Sequence, residues 1–164
     1  MKLIAAAAAA LVLVVIGLTA TNAAAGTRPP ATSPATSSAT EHFEAMSTNP
    51  VSAVATLIAR GPLTIGGTVN LQTGRAVLPG GDLTLDHHQL HGGSTFSSQT
   101  CLATVTSSGT YRITGGTGRY RHVSGHGDYQ LIAYATVAKV NGKCSAKVPY
   151  AQETLLTASG PLQQ

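Results

Sequence analysis

Short runs of apolar and β-branched residues alternate with polar ones from Val51 onward, and Gly, Pro and Asn interrupt the runs. This pattern is typical of successive antiparallel strands joined by turns. It predicts eight strands, which in chain order are Ala53–Arg60, Thr64–Leu71, Ala76–Leu78, Asp82–His88, Cys101–Thr106, Thr110–Thr114, Gly127–Val140 and Tyr150–Ser159. Eight short strands in one domain favour an all-β, antiparallel closed barrel, because closure leaves no exposed strand edge. A β-sandwich stays open from the pattern alone.

Alternation also assigns side chains to the two faces of each strand. Leu83, Leu85 and His87 share one face of the fourth predicted strand, which is expected to face the barrel interior. One side of the long strand Gly127–Val140 is expected to face the interior and carries Tyr129, Leu131, Ala133, Ala135 and Val137. The opposite side carries Asp128, Gln130, Tyr134 and Thr136. Ile132 breaks the polar pattern of that side, which indicates either a partly covered outer surface or a bulge. Asn141-Gly142 is the strongest turn signal, because both residues tolerate positive φ.

The first fifty residues follow a different pattern. Lys2 precedes an almost unbroken apolar stretch and then Ala23-Ala24-Ala25, which predicts a signal peptide over residues 1–25. Residues 26–50 are rich in Thr, Ser, Pro and Ala and predict a flexible linker, within which 41–46 could form one helical turn. The barrel domain is then 51–164. We expect a secreted, extracellular or cell-envelope protein without stable membrane insertion after cleavage; an uncleaved anchor is the alternative.

Two cysteines, Cys101 and Cys144, are an even count in a chain predicted to be exported, so a disulfide is the default expectation. A catalytic or metal-bound thiol would compete with this, but no CxxC spacing supports it. The formal net charge is +4, with charged residues at 10% and aromatic residues at 4%. Because the basic residues are scattered, nucleic acid is not an expected partner.

The stretch Tyr111–Tyr129, with the sequence YRITGGTGRYRHVSGHGDY, resembles the signature hairpin of the allene oxide cyclase and dirigent barrel superfamily. More narrowly, the chain resembles uncharacterised exported actinobacterial members, which carry similar segments around Asp86-His87-His88 and both cysteines. This closer resemblance implies the fold and the disulfide, and it implies no activity. It is compatible with a homo-oligomer, although no residue decides that.

The hairpin has a structural explanation that does not depend on the family. Gly115, Gly116 and Gly118 permit backbone angles that other residues avoid, and Tyr120 can fold back over the barrel end. A phosphate-binding loop would instead run from a strand directly into a helix.

Motifs that carry catalysis are absent from the pattern. His87, His88 and His91 cluster near one strand end, and Asp86 and His88 have a spacing that can bring two ligands to a metal ion. No third ligand can be placed, so we predict no metal site and no cofactor. No nucleophile elbow or supported carboxylate pair is found either, and no catalytic residue is predicted.

The leading hypothesis is a non-catalytic barrel that binds a small apolar or phenolic ligand, or an envelope partner, in or at its mouth. The candidate ligand-binding residues are His87, Tyr111, Tyr129, Leu131 and Tyr134. One alternative, which the resemblance implies, is a cyclase or a stereochemical guide for reactive substrates. The other alternative is a structural or adhesive envelope protein. Whether the protein is an enzyme is left open.

Overall fold

The computed structural model describes residues 39–49 and 52–164, without the side chains of 146–150. The predicted signal peptide and the first part of the predicted linker lie outside the described residues. The described part of the chain forms a closed antiparallel barrel of eight strands, as predicted, in which each strand pairs with the next one along the chain and the last pairs back to the first. Within that part, no helix has the length and apolar character needed to cross a membrane.

The strands fall into a short and a long group. The short strands are β1 (Ala39–Ser47), β2 (Val54–Arg60), β3 (Ile65–Asn70) and β4 (Arg75–Leu78). The long strands are β5 (Gly81–Ser97), β6 (Leu102–Gly116), β7 (Ser124–Val140) and β8 (Lys143–Gln163). A single 3-10 turn, Gly118–Tyr120, connects β6 to β7 among the described residues.

The boundary of the predicted linker is wrong at its C-terminal end. The strand β1 lies inside the range 26–50 and pairs with both β2 and β8, so the barrel begins before residue 51 and 41–46 is not helical. Its inward positions include the buried Phe43 and Ala45. The sequence pattern missed this strand because small and charged residues occupy many of its positions, and only Phe43 and Met46 are large and apolar.

The predicted strands Cys101–Thr106 and Thr110–Thr114 form a single strand in the structure. The segment Ser107-Ser108-Gly109 has the composition of a turn, but β6 continues through it and pairs with β7 without a register shift. The total of eight strands therefore agrees with the prediction although one strand was missed and two were joined. The Asn141-Gly142 turn is confirmed, with φ of 51° and 77° at its two residues.

The core occupies the closed end of the barrel, where all eight strands meet. Alternate residues of each strand point inward, and the apolar ones pack into one cluster. Its large members are Phe43, Leu57, Leu63, Leu78, Leu83, Tyr111, Ile113, Tyr120 and Leu162. Leu83 has no exposed surface at all, so its predicted inward direction is confirmed.

The glycine hairpin closes this end in the way the sequence indicated. Gly118 has a φ of 56°, which a residue with a side chain adopts only at a cost. Tyr120 is buried, and its hydroxyl donates a hydrogen bond to the carbonyl of Pro79 at 2.8 Å. Gly116 is required for a different reason, because a Cβ there would lie 2.1 Å from the carbonyl oxygen of Tyr120. Gly115 has open space around it and no positive φ, so the predicted conformational requirement does not apply to it.

A buried carboxyl group lies at the same end of the barrel. Glu41 on β1 has no exposed surface, and its Oε2 accepts a hydrogen bond from the Leu63 N–H at 2.7 Å. Its Oε1 has no hydrogen-bond partner. Burial raises the pKa of the Glu41 carboxyl above its ordinary value, and the Leu63 N–H opposes that shift only in part.

We expect Glu41→Gln to change the pH dependence of stability. The raised pKa means that the folded state favours the protonated acid. The contribution of Glu41 to the stability of the folded wild-type protein is therefore complete below the ordinary carboxyl pKa. It is lost as the pH rises through the pKa of Glu41 in the folded state. In urea unfolding between about pH 4 and pH 7, the stability of wild type minus that of Glu41→Gln should fall with rising pH.

The matched control is Glu44→Gln on the outer face of β1, where Glu44 pairs with Arg60 at 3.1 Å. The stability of wild type minus that of Glu44→Gln should not show the same fall with rising pH. If the stability of wild type minus that of Glu41→Gln stays level or grows as the pH rises, the raised pKa of Glu41 is contradicted.

Beyond the closed end, the long strands continue as a sheet of their own, which we call the extension. β5 pairs with β4 only over Gly81–Thr84, and β8 pairs with β1 only over Thr154–Leu162. The remaining parts of β5 to β8 pair only with one another, and many of their residues are half-buried or exposed on both faces. Less apolar surface therefore stabilises the extension than stabilises the closed end.

The predicted disulfide is confirmed and lies in the extension. Cys101 and Cys144 are 43 residues apart in sequence and are joined at an S–S distance of 2.06 Å. Cys101 precedes β6, and Cys144 follows the turn between β7 and β8. The bond therefore joins two hairpins at the end of the barrel that lacks a packed core.

Replacing both cysteines with alanine should destabilise the protein by about 4 kcal/mol in the chain-entropy account, as measured by urea unfolding. Hydrogen exchange should also show a larger loss of amide protection in the extension, for example at Val105, than at Leu83 in the core. Equal losses at both positions would argue that the disulfide stabilises the barrel uniformly.

Candidate functional site

The inner face of the barrel changes character along β5 to β8. At Tyr111 and Ile113 it is buried core, and two inward positions further along β6, toward the extension, it carries the hydroxyl of Ser107. His87 pairs in register with Tyr111, so its side chain is on the inner face as predicted. It is nevertheless exposed, because the short strands no longer cover the sheet there. We call this region the mouth.

Three polar side chains meet at the mouth. The rings of His87 and Tyr129 are in edge-to-face contact, with centroids 5.9 Å apart and planes at 88°. The hydroxyls of Tyr129 and Ser107 share a hydrogen bond of 3.1 Å. Gly109 on β6 is in register with Tyr129, and a Cβ there would lie 2.0 Å from the carbonyl oxygen of His88, so the approach of β5 at this point requires a glycine. Tyr129 is buried, so this edge of the cluster is held in place by the core.

Tyr111 lies where the mouth meets the packed core, and it belongs to the core. Its ring meets that of Phe43 edge-to-face at 6.0 Å, and it is 6% exposed. Burial raises the pKa of the Tyr111 hydroxyl to about 12, and the negative charges of Glu41 and Asp128 act in the same direction.

Beyond the mouth, the inner face carries mainly small apolar side chains on β6 and β7, and the large side chain of Phe96 on β5 lies on the same face opposite Ala103. Leu131 is in register with Ser107, and both are half-buried. The next inward positions on β6 and β7 are Val105, Ala133, Ala103 and Ala135. Small residues at successive inward positions leave space above the sheet that large ones would fill.

The five predicted ligand-binding residues do not all lie together. His87, Tyr111, Tyr129 and Leu131 share the inner face, as their alternation indicated. Tyr134 points to the outer face of β7 and is 39% exposed, so it cannot contact a ligand held at the mouth. The role of the other four in binding stays a prediction.

The outer face of the long strands contains two depressions. One, of 630 Å³, is bordered by residues such as His91, Ser108, Gln130, Ile132 and Leu155. The other, of 350 Å³, lies beside it and includes Glu44, Asp128 and Ser159. Both are bordered by Gln130 and Thr157.

The histidine cluster does not converge. His88 and Asp86 point to the outer face while His87 points inward, because consecutive residues of a strand alternate. Among residues 39–49 and 52–164, no three His, Cys, Asp or Glu side chains are close enough together to hold a metal ion.

Sequence reasoning missed Ser107 and the residues of the outer depressions. Ser107 was assigned to a turn between two predicted strands, although its spacing from Val105 and Tyr111 continues one alternating pattern. Gln130 and Thr157 are ordinary polar residues of an outer strand face, and only cross-strand register brings them together.

Comparison with protein-family models, with curated proteins and with solved structures gave no match. The resemblance to the allene oxide cyclase and dirigent superfamily therefore stays a prediction.

The raised pKa of Tyr111 should be visible by titration. We expect absorbance at alkaline pH to show a tyrosine transition at about pH 12. Because this pKa is raised in the folded state, its contribution to stability should be complete below about pH 10 and lost as pH rises through 12. Tyr111→Phe should remove the late transition alone. Its persistence in that variant would show that another tyrosine is responsible.

Proposed function

We propose that the protein binds a small, mainly apolar ligand carrying a phenolic hydroxyl at the mouth of its barrel. The observation that carries this proposal is the cluster of His87, Tyr129 and Ser107 beside an inner face of small apolar residues. A site of this kind combines apolar contact area with a few fixed polar groups that orient the ligand.

The polar groups suit a phenol in particular. In the hydrogen bond between the Tyr129 and Ser107 hydroxyls, the donor has used its only proton and can still accept, whereas the other hydroxyl can still donate one hydrogen bond. The exposed His87 ring stands edge-on to Tyr129, so it can contact an aromatic ring that enters from the solvent side. Leu131 and the alanines beyond it supply the apolar surface.

The cluster favours binding over covalent catalysis. Ser107 shares its hydrogen bond with the phenolic hydroxyl of Tyr129, whereas a serine nucleophile needs a base as its hydrogen-bond partner. Its hydroxyl is therefore available for recognition. An apolar or phenolic ligand from outside the cell, or one attached to an envelope component, fits this description equally.

The test compares 2-naphthol with naphthalene, which has the same ring system without the hydroxyl. Ligand fluorescence should show that the disulfide-bonded protein prefers 2-naphthol. Tyr129→Phe should weaken 2-naphthol binding by about fivefold, the effect of one lost hydrogen bond, and leave naphthalene binding unchanged.

The matched control is Tyr134→Phe, the same substitution on the outer face, which should change neither affinity. The proposal fails if neither compound binds, or if Tyr129→Phe has no effect on 2-naphthol. It also fails if Tyr134→Phe has the larger effect, because the ligand would then lie outside the barrel.

A further inference from the structure

Ile132 was singled out in the sequence as an apolar residue on a polar strand face. The structure shows no register shift between β6 and β7 at this point, so Ile132 does not mark a bulge. It points outward, is half-buried, and borders the 630 Å³ depression on the outer face. Most of its lining belongs to the outer face, but Ser107 and Leu131 of the mouth also border it, because both sites use the same strands.

The two outer depressions form one trough across five strands. One row of paired residues runs from His91 on β5 through Ser108, Gln130 and Thr157 to Glu44 on β1. The parallel row consists of Gly93, Thr106, Ile132, Leu155 and Met46. Because neighbouring strands are spaced by about 4.8 Å, these rows extend about 19 Å from β5 to β1.

The two rows differ in chemistry. From β5 to β8 the first row presents an imidazole, two hydroxyls and an amide, groups that donate and accept hydrogen bonds, and it ends on β1 with the carboxylate of Glu44. The second presents aliphatic side chains on β7 and β8, where Leu155 is 41% exposed. Gly93 and Thr106 are small, which keeps the floor of the trough low on β5 and β6.

The charges near the trough restrict its ligand. No lysine or arginine is among the described residues that border either depression, and the end near β1 carries Glu44 and Asp128. The charge of Glu44 is balanced by Arg60 at 3.1 Å, so an anionic ligand would meet the negative charge of Asp128 and no lysine or arginine in the lining of the trough. Hydroxyl groups of a neutral ligand, in contrast, can donate to these carboxylates and exchange hydrogen bonds with Gln130 and Thr157.

We propose that this trough binds a linear, uncharged oligosaccharide segment. Its length accommodates several sugar rings in a row across the strands. The polar row matches the hydroxyl groups of such a chain, and the aliphatic pair Ile132 and Leu155 matches the apolar C–H face of a sugar ring. Its exposed position on a sheet face suits part of a longer polymer.

The test uses cellotetraose, chitotetraose and maltotetraose as neutral probes and tetragalacturonate as the anionic one. The probes are titrated into the full chain, ¹⁵N-labelled and purified in disulfide-bonded form from an exporting host. At least one neutral probe should shift the amides of Ser108, Gln130 and Thr157 in a concentration-dependent way. Tetragalacturonate should bind more weakly by about tenfold or more.

Gly93→Leu provides the sharpest variant. A Cβ at Gly93 would meet only the Thr106 hydroxyl, at 3.4 Å, so the backbone accepts a side chain that then fills the trough. We expect it to weaken the neutral probe by about tenfold. The control is Gly115→Leu, near the C-terminal end of β6, where an added Cβ meets nothing within 4 Å. It should leave the affinity for the neutral probe unchanged.

Several results would overturn the proposal. One is the absence of amide shifts with every neutral probe. Another is that Gly93→Leu binds the neutral probe as tightly as the wild-type protein does. Shifts at His87 and Gly109, which border neither depression, without shifts at Ser108, Gln130 and Thr157 would assign sugar binding to the mouth instead. Light scattering that shows a dimer which Gly93→Leu converts to monomer, with no sugar bound, would assign the trough to a second copy of the chain.

Discussion

The register between β6 and β7 is the constraint on which the rest of the structure depends. It runs from the pair Leu102 and Thr136 to the pair Ile113 and Gly125 without a shift. The same alternation therefore buries Tyr111 in the core and, further along, directs Ser107 and Leu131 to the inner face. A slip of one residue would exchange the two faces of the extension along its whole length. Both candidate sites exist only because the packed end fixes this register.

The parts of the fold that were predictable are those with strong local signals. Asn141-Gly142 specifies a tight hairpin through positive φ at both positions, and Tyr129 and Leu131 lie on a regular alternating strand. The two cysteines pair, as an even count in a chain predicted to be exported suggests. β1 gave no such signal, since its inward positions include Glu41 and Ala45 as well as Phe43. Only pairing with β2 and β8 makes that segment a strand.

The candidate sites were predictable to a smaller extent, and for a physical reason. Alternation within one strand placed His87, Tyr129 and Tyr134 on their faces correctly. It could not place Ser107 beside Tyr129, or Gln130 beside Thr157, because those contacts depend on which residues of different strands are opposite each other. Bulges near Thr84 and Leu90 shift the pairing of β5 with β6 further, and no local pattern indicated them.

The extension has a cost that explains where the disulfide lies. A sheet with two accessible faces buries little apolar surface, and its backbone hydrogen bonds alone provide modest net stability. Cys101 and Cys144 join its two hairpins near their tips, away from the core cluster that contains Leu83 and Ile113. The covalent bond thus allows the sheet to keep both faces uncovered. A larger core in the extension would stabilise it without a disulfide, but it would fill the mouth on one side or cover the trough on the other.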